Sequence, residues 1–148
     1  MIQRIQSFYL ILSSVFYAIL FLSPIYNVLD HSSSFQVYLS KPNPVGAPSV
    51  ALLVLSIILT GIIRLISIFL FKNRKLQIRF IQIAVMFSLI CIILTGSYLY
   101  IYKHTGVEFH ISPTLWTSIP LITLIFDFLA IKAVKKDQAL VDSLNRLR

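Results

Sequence analysis

Four long runs of apolar residues, divided by shorter polar segments, organise this chain. They cover roughly residues 5–22, 50–71, 80–101 and 115–134. A helix needs about 20 residues to cross the roughly 30 Å hydrocarbon core of a bilayer, and each run is near that length. The pattern predicts an all-α membrane protein. Its expected fold is a four-helix transmembrane bundle, one integral-membrane domain over residues 1–148.

The polar segments carry patterns of their own. Phe35-Gln36-Val37-Tyr38-Leu39 and Val107-Glu108-Phe109-His110-Ile111 alternate with period two, which puts every second side chain on one face of a strand. The two stretches are expected to pair into a small β-sheet capping the bundle, with Pro42, Pro44 and Pro48 forming a stiff return into the second span. Pro24 closes the first span. Ser49 is placed to cap the second, and Ser112-Pro113 sets a capping hydroxyl before a proline at the first helical position of the fourth. The short turn at 72–75 makes spans two and three antiparallel neighbours. Pro120 falls inside the fourth run. Its missing N–H frees the carbonyl of Trp116 and predicts a helix kink, with Thr117, Ser118 and Thr123 near enough to re-satisfy the backbone.

Composition agrees with a lipid solvent. Hydrophobic residues make up 57% of the chain and charged residues 12%, against about 25% charged in ordinary soluble domains. The net charge of +8 raises nucleic acid as a partner, but the basic residues cluster at span ends, where headgroups lie. The aromatic residues lie mostly inside the spans instead of between lysines and arginines. The bilayer is the expected partner, and no nucleic acid is. Arg4, Lys72, Arg74, Lys75, Arg79, Lys132, Lys135, Lys136, Arg146 and Arg148 flank one end of the spans; only Lys41 and Lys103 flank the other. The positive-inside rule then puts both termini in the cytoplasm. The first run exceeds the usual length of a signal h-region, and Ser23-Pro24-Ile25 is a poor cleavage site, so it reads as a retained span.

Each span bears a stripe of small or weakly polar residues: Ser7, Ser14 and Ala18; Ser56, Thr60, Arg64 and Ser67; Ala84, Ser88, Cys91, Thr95 and Tyr98; Pro120, Thr123, Asp127 and Ala130. In lipid, helices associate through close packing at small residues and through hydrogen bonds between them. The stripes are therefore the expected helix–helix faces. Arg64 and Asp127 are formally charged residues well inside spans. Spans two and four run in the same direction, and counting from their basic flanks puts the two Cα atoms within about 4–5 Å in depth. An unpaired charge at mid-bilayer costs at least about 2.5–3.5 kcal/mol. An intramembrane ion pair is expected; snorkelling of Arg64 to the headgroups and a proton- or ion-coupling role are the other readings.

Candidate chemistry is sparse. Cys91 sits mid-span as the single cysteine, without an intrachain disulfide partner. Glu108 and His110 share a strand face, and Asp30, His31 and His104 lie in the same loops, but no ligand set with metal-binding spacing is present. No metal, cofactor or catalytic residue is expected, and the chain reads as a non-enzyme. The tail, residues 135–148, is amphipathic, with Leu140, Val141, Leu144 and Leu147 on one helical face. That face is a candidate cytoplasmic docking surface, on a tail that continues span four, lies on the inner leaflet or docks a partner.

Three segments carry a resemblance: Met1-Ile2-Gln3-Arg4-Ile5-Gln6, Asn73-Arg74-Lys75-Leu76-Gln77-Ile78-Arg79, and the tail from Lys132 to Arg148. Together they resemble small membrane proteins of Bacteroidota grouped as domain of unknown function family 4293, over essentially the whole chain. Gln138 and Asn145 stand where that family more often has Glu and Asp. The resemblance implies a bacterial inner membrane and brings no activity or site residue. The expected role is a scaffold or accessory subunit of a membrane assembly, with other membrane subunits as partners. A homo-oligomeric channel or transporter using Arg64 and Asp127 is the alternative.

Overall fold

A computed structural model describes residues 2–29, 34–40, 50–104 and 110–146. Backbone polar groups in lipid must find partners within their own segment, and the apolar runs become helices accordingly. They are α1 (Ile2–Leu22), α2 (Ala51–Phe69), α3 (Arg74–His104) and α4 (Ile119–Arg146). All four are long and apolar enough to cross a membrane. Phe69, Met86, Ile93, Ile125 and many other large apolar side chains face outward, the reverse of a water-soluble bundle. Gln6 meets Ala133, Ser13 meets Asp127 and Phe16 stacks on Phe126, so α1 and α4 are antiparallel and their outer ends share one end of the bundle.

The helix ends have local causes. The N–H of Ser23 donates to the Ile19 carbonyl at 3.0 Å, and Pro24 then begins a strand. A 3₁₀ turn, Leu70–Lys72, follows α2, and Asn73 closes it by donating its N–H to the Leu70 carbonyl at 2.9 Å. At the other end of α2 the cap residue is Val50, without a side-chain cap. Ser49, the expected cap, and Pro42, Pro44 and Pro48, the expected return, lie outside the described residues.

The sheet differs from the expected pair of strands. It has three: β1 (Pro24–Leu29), β2 (Ser34–Tyr38) and β3 (His110–Pro113), antiparallel in the order β2-β1-β3. The two anticipated stretches supply the edges and do not pair with one another; β1 lies between them. In sequence β1 follows the first apolar run after only Ser23, and Ile25, Tyr26 and Val28 are strong strand formers. Pro24 prevents the helix from continuing through them. The third strand overlaps the expected stretch only at His110 and Ile111, since residues 105–109 are outside those described. Tyr26, Val28 and Val37 are buried against the bundle, and the Tyr26 hydroxyl donates to the Thr95 carbonyl at 2.9 Å. That bond seats the sheet on α3.

Two further expectations at the start of α4 are corrected. Ser112 and Pro113 belong to β3 and do not cap a helix. Thr114 instead precedes a 3₁₀ turn, Leu115–Ser118, and gives its hydroxyl to the carbonyls of Pro24 at 2.6 Å and Ile25 at 3.0 Å. The Thr117 hydroxyl also donates to Ile25, at 2.7 Å. Pro120 is the second residue of α4, where a missing N–H costs no helical bond. The Trp116 carbonyl accepts the N–H of Ile119. The proline therefore marks the junction of a 3₁₀ turn with an α-helix, not an interior kink.

The core has two apolar clusters. One lies under the sheet around Tyr17, Leu20, Tyr26, Leu53 and Ile57; the other gathers Leu10, Ile81, Ala130 and Val134 toward the basic end. The stripes of α2, α3 and α4 point inward, with Thr60, Arg64, Ser88, Thr123 and Asp127 all fully buried. The stripe assigned to α1 is corrected. Its buried face is Gln6, Leu10, Ser13, Tyr17 and Leu20, at i, i+4, i+7 spacing, while Ser7 and Ser14 are half-buried and Ala18 is exposed.

Of the tail, residues 135–146 continue α4 without a break. Leu140 is exposed and Val141 half-buried. The side chain of Leu144, and Leu147 altogether, lie outside what is described, so the docking face as a whole does too.

Candidate functional site

A polar layer lies between the two apolar clusters, built from one face of each helix. Arg64 comes from α2, Ser88 from α3, Asp127 from α4, and Ser13 and Tyr17 from α1. Every residue sits on the inward stripe of its helix, which is why four separate spans deliver polar groups to one depth.

Arg64 grips Asp127 with two parallel bonds. Its Nε donates to Oδ1 at 3.1 Å and its Nη2 to Oδ2 at 2.5 Å. Both side chains are 0% exposed. The bidentate fork is the strongest neutralising geometry open to these groups, and burial demands it, because either charge alone in this setting is strongly unfavourable. The Ser13 hydroxyl adds a third donor to the carboxylate, at 3.0 Å from Oδ1.

Ser88 is the hub on the other side. Its hydroxyl donates to the Ala84 carbonyl at 2.9 Å and accepts from Arg64 Nη2 at 2.8 Å and from the Tyr17 hydroxyl at 3.1 Å. One donor and two acceptor sites are thus all used. The Tyr17 ring lies under the guanidinium, with Cζ 4.1 Å from its centroid, a cation–π arrangement in a dry setting. Arg64 Nη1 has no hydrogen-bond partner.

Three inward threonines close on their own helices. Thr60 donates to the Ser56 carbonyl, Thr95 to Cys91 and Thr123 to Pro120. Cys91 is buried, its Sγ 3.1 Å from Ser56 Oγ. Since Ser56 gives its proton to the Leu53 carbonyl, the thiol is the donor between them. A second polar layer lies at the basic end. Gln6 donates to the Ala133 carbonyl at 3.2 Å, and Arg74 Nε approaches Asp137 Oδ2 at 2.8 Å. That last contact lacks hydrogen-bond alignment and acts as an ionic one.

The structure thus brings Arg64 and Asp127 together and leaves Pro120 outside the pair, at the start of α4. Ser13 and Tyr17 had no assigned role. Their spacing of four, in register with Gln6, Leu10 and Leu20, was the signal that could have found them. Among the described residues no group of three or more His, Cys, Asp or Glu gathers; His31 and Glu108 are not among them.

The model of the family described as Domain of unknown function (DUF4293) matches residues 2–147. The chain belongs to that family. No curated protein and no solved structure matches it. In this DUF4293 member the two charges of the polar layer neutralise one another, Arg64 Nη1 alone of the guanidinium nitrogens lacks a hydrogen bond, and the layer ties all four helices at one depth.

Proposed function

We propose that this protein is a non-enzymatic scaffold or accessory subunit of a larger membrane assembly. We place it in a bacterial inner membrane with both termini in the cytoplasm. The observation that carries the reading is the engagement of the one carboxylate in the polar layer. A carboxylate with three donors, a serine with all its bonds used and a guanidinium held from two sides bind one another, leaving no free carboxylate for a substrate. Such a layer locks four helices in register, which suits a platform better than a moving carrier. The ten-to-two bias of basic residues between the two ends supports the orientation, and the resemblance to Bacteroidota proteins supports the compartment.

The test is purification of the tagged full chain in mild detergent from its native host, followed by mass spectrometry. Stoichiometric unrelated membrane subunits are expected. A pure homomer that conducts ions in liposomes, and stops doing so as D127N, would overturn the reading in favour of a channel or transporter. The orientation is read separately by labelling single cysteines introduced at Arg74 or Arg146 in intact cells, where protection from impermeant reagents is expected.

A further inference from the structure

The outer surface carries a groove between α1 and α4 near the basic end, about 270 Å3 in volume, lined by Ile5, Tyr9, Leu129, Lys132, Ala133 and Lys136. The four α4 residues follow the spacing i, i+3, i+4, i+7, so they share one helical face. Leu129 and Lys136 are about 10 Å apart along the axis. Because α1 runs antiparallel, Tyr9 lies beside the deeper part and Ile5 nearer the surface. The floor is fixed by the bond from Gln6 to the Ala133 carbonyl. The groove is thus graded, apolar toward the membrane interior and basic toward its rim.

The two lysines are four residues apart, with Cβ atoms about 5–6 Å from one another. Both are exposed, and among the described residues neither has a carboxylate partner. Two carboxylates of the same helix are engaged elsewhere: Asp137 by Arg74 and Asp127 by Arg64. Two uncompensated ammonium groups at the rim of an apolar interhelical groove match an amphiphile with an anionic head, the arrangement that basic pockets between membrane helices use to hold acidic headgroups. The groove between α1 and α2 provides an internal comparison. It is lined by Ala18, Phe21, Ile57, Gly61 and similar residues without a cation, and so lacks the head-binding half.

We propose that the α1–α4 groove seats one anionic phospholipid, its phosphate between Lys132 and Lys136 and an acyl chain along Ile5, Tyr9 and Leu129. The lysine stems lie along the groove wall while their ammonium groups reach the headgroup level.

The test uses the full chain in detergent micelles, studied by native mass spectrometry. It is titrated with phosphatidylglycerol or with phosphatidylcholine of the same acyl chains. One phosphatidylglycerol is expected to bind with at least about tenfold preference. Each basic residue near a membrane surface contributes about fivefold in affinity, so K132Q/K136Q should weaken binding about 25-fold. K75Q/R79Q, two exposed cations elsewhere at the same end, should leave it unchanged. L129W, which fills the deep half while keeping both lysines, should also expel the lipid. Melting temperatures of all variants are compared so that a loss of binding is read on folded protein. Equal binding of the two lipids, equal losses in the two double variants, retention of lipid by L129W, or displacement of the lipid by millimolar inorganic phosphate would each overturn the proposal.

Discussion

The Ser13 hydroxyl donates to Asp127 Oδ1 across 3.0 Å, joining residues 114 positions apart. The first span therefore takes part in holding a charge that the last span brings in. The carboxylate is bound from two helices at once, by α1 through Ser13 and by α2 through Arg64.

Removing that carboxylate should be severe. D127A leaves the Arg64 guanidinium buried without a counter-charge, and losses from breaking such a pair run to about 3–5 kcal/mol. Thermal unfolding in detergent measures it. Replacing both partners, as R64M/D127L, should recover most of the loss, because the apolar pair carries no desolvation cost. A double variant as unstable as the single one would show that the pair contributes more than charge neutrality.

Tyr17 supports the pair in two separable ways. Y17F removes the bond to Ser88 and keeps the ring under Arg64, for an expected loss of about 0.5–1.5 kcal/mol. Y17L also removes the ring, adding up to about 2 kcal/mol from the cation–π contact beyond the change in packing. Equal unfolding midpoints for the two variants would exclude a role for the ring face.

The sheet is tied to the start of α4 by hydroxyls. T114V/T117V deletes the side-chain bonds to Pro24 and Ile25 and should raise amide exchange across β1 and β3. Exchange in the middle of α2 and α3 should not change. Exchange that rises uniformly over all four helices would mean the sheet and bundle unfold as one unit.

Pro120 provides a test of its place in the helix. P120A should change stability by less than about 1 kcal/mol, since the residue lies in the first turn, where it is tolerated. A gain near 3 kcal/mol, the size of a helix-interior proline penalty, would place it in the helix proper.

The sequence makes some of this architecture readable and hides the rest for physical reasons. Span lengths follow from bilayer thickness, so four helices are visible in hydropathy alone. The depths of Arg64 and Asp127 follow from counting residues back to a basic flank. The partners of α1 are harder to see, because Ser7, Ser14 and Ala18 resemble a packing stripe as much as Leu10, Ser13 and Tyr17 do. Which face turns inward depends on the position of α4, not on α1 itself. The central strand is hidden because Ile25, Tyr26 and Val28 follow directly on Pro24 at the close of the first span, and Pro24-Ile25-Tyr26-Asn27-Val28-Leu29 lacks the regular alternation that marks the other two stretches. Pro120 misleads because the fourth run begins as a 3₁₀ turn, and apolar content does not distinguish that turn from the helix after it.

The contact between α2 and α4 also sets an order of events on the ribosome. Arg64 is synthesised 63 residues ahead of Asp127, an interval of about 3–12 s at ordinary elongation rates. During that time the nascent chain carries an uncompensated cation in its second span. A product truncated before α4 would keep that cation without its counter-charge.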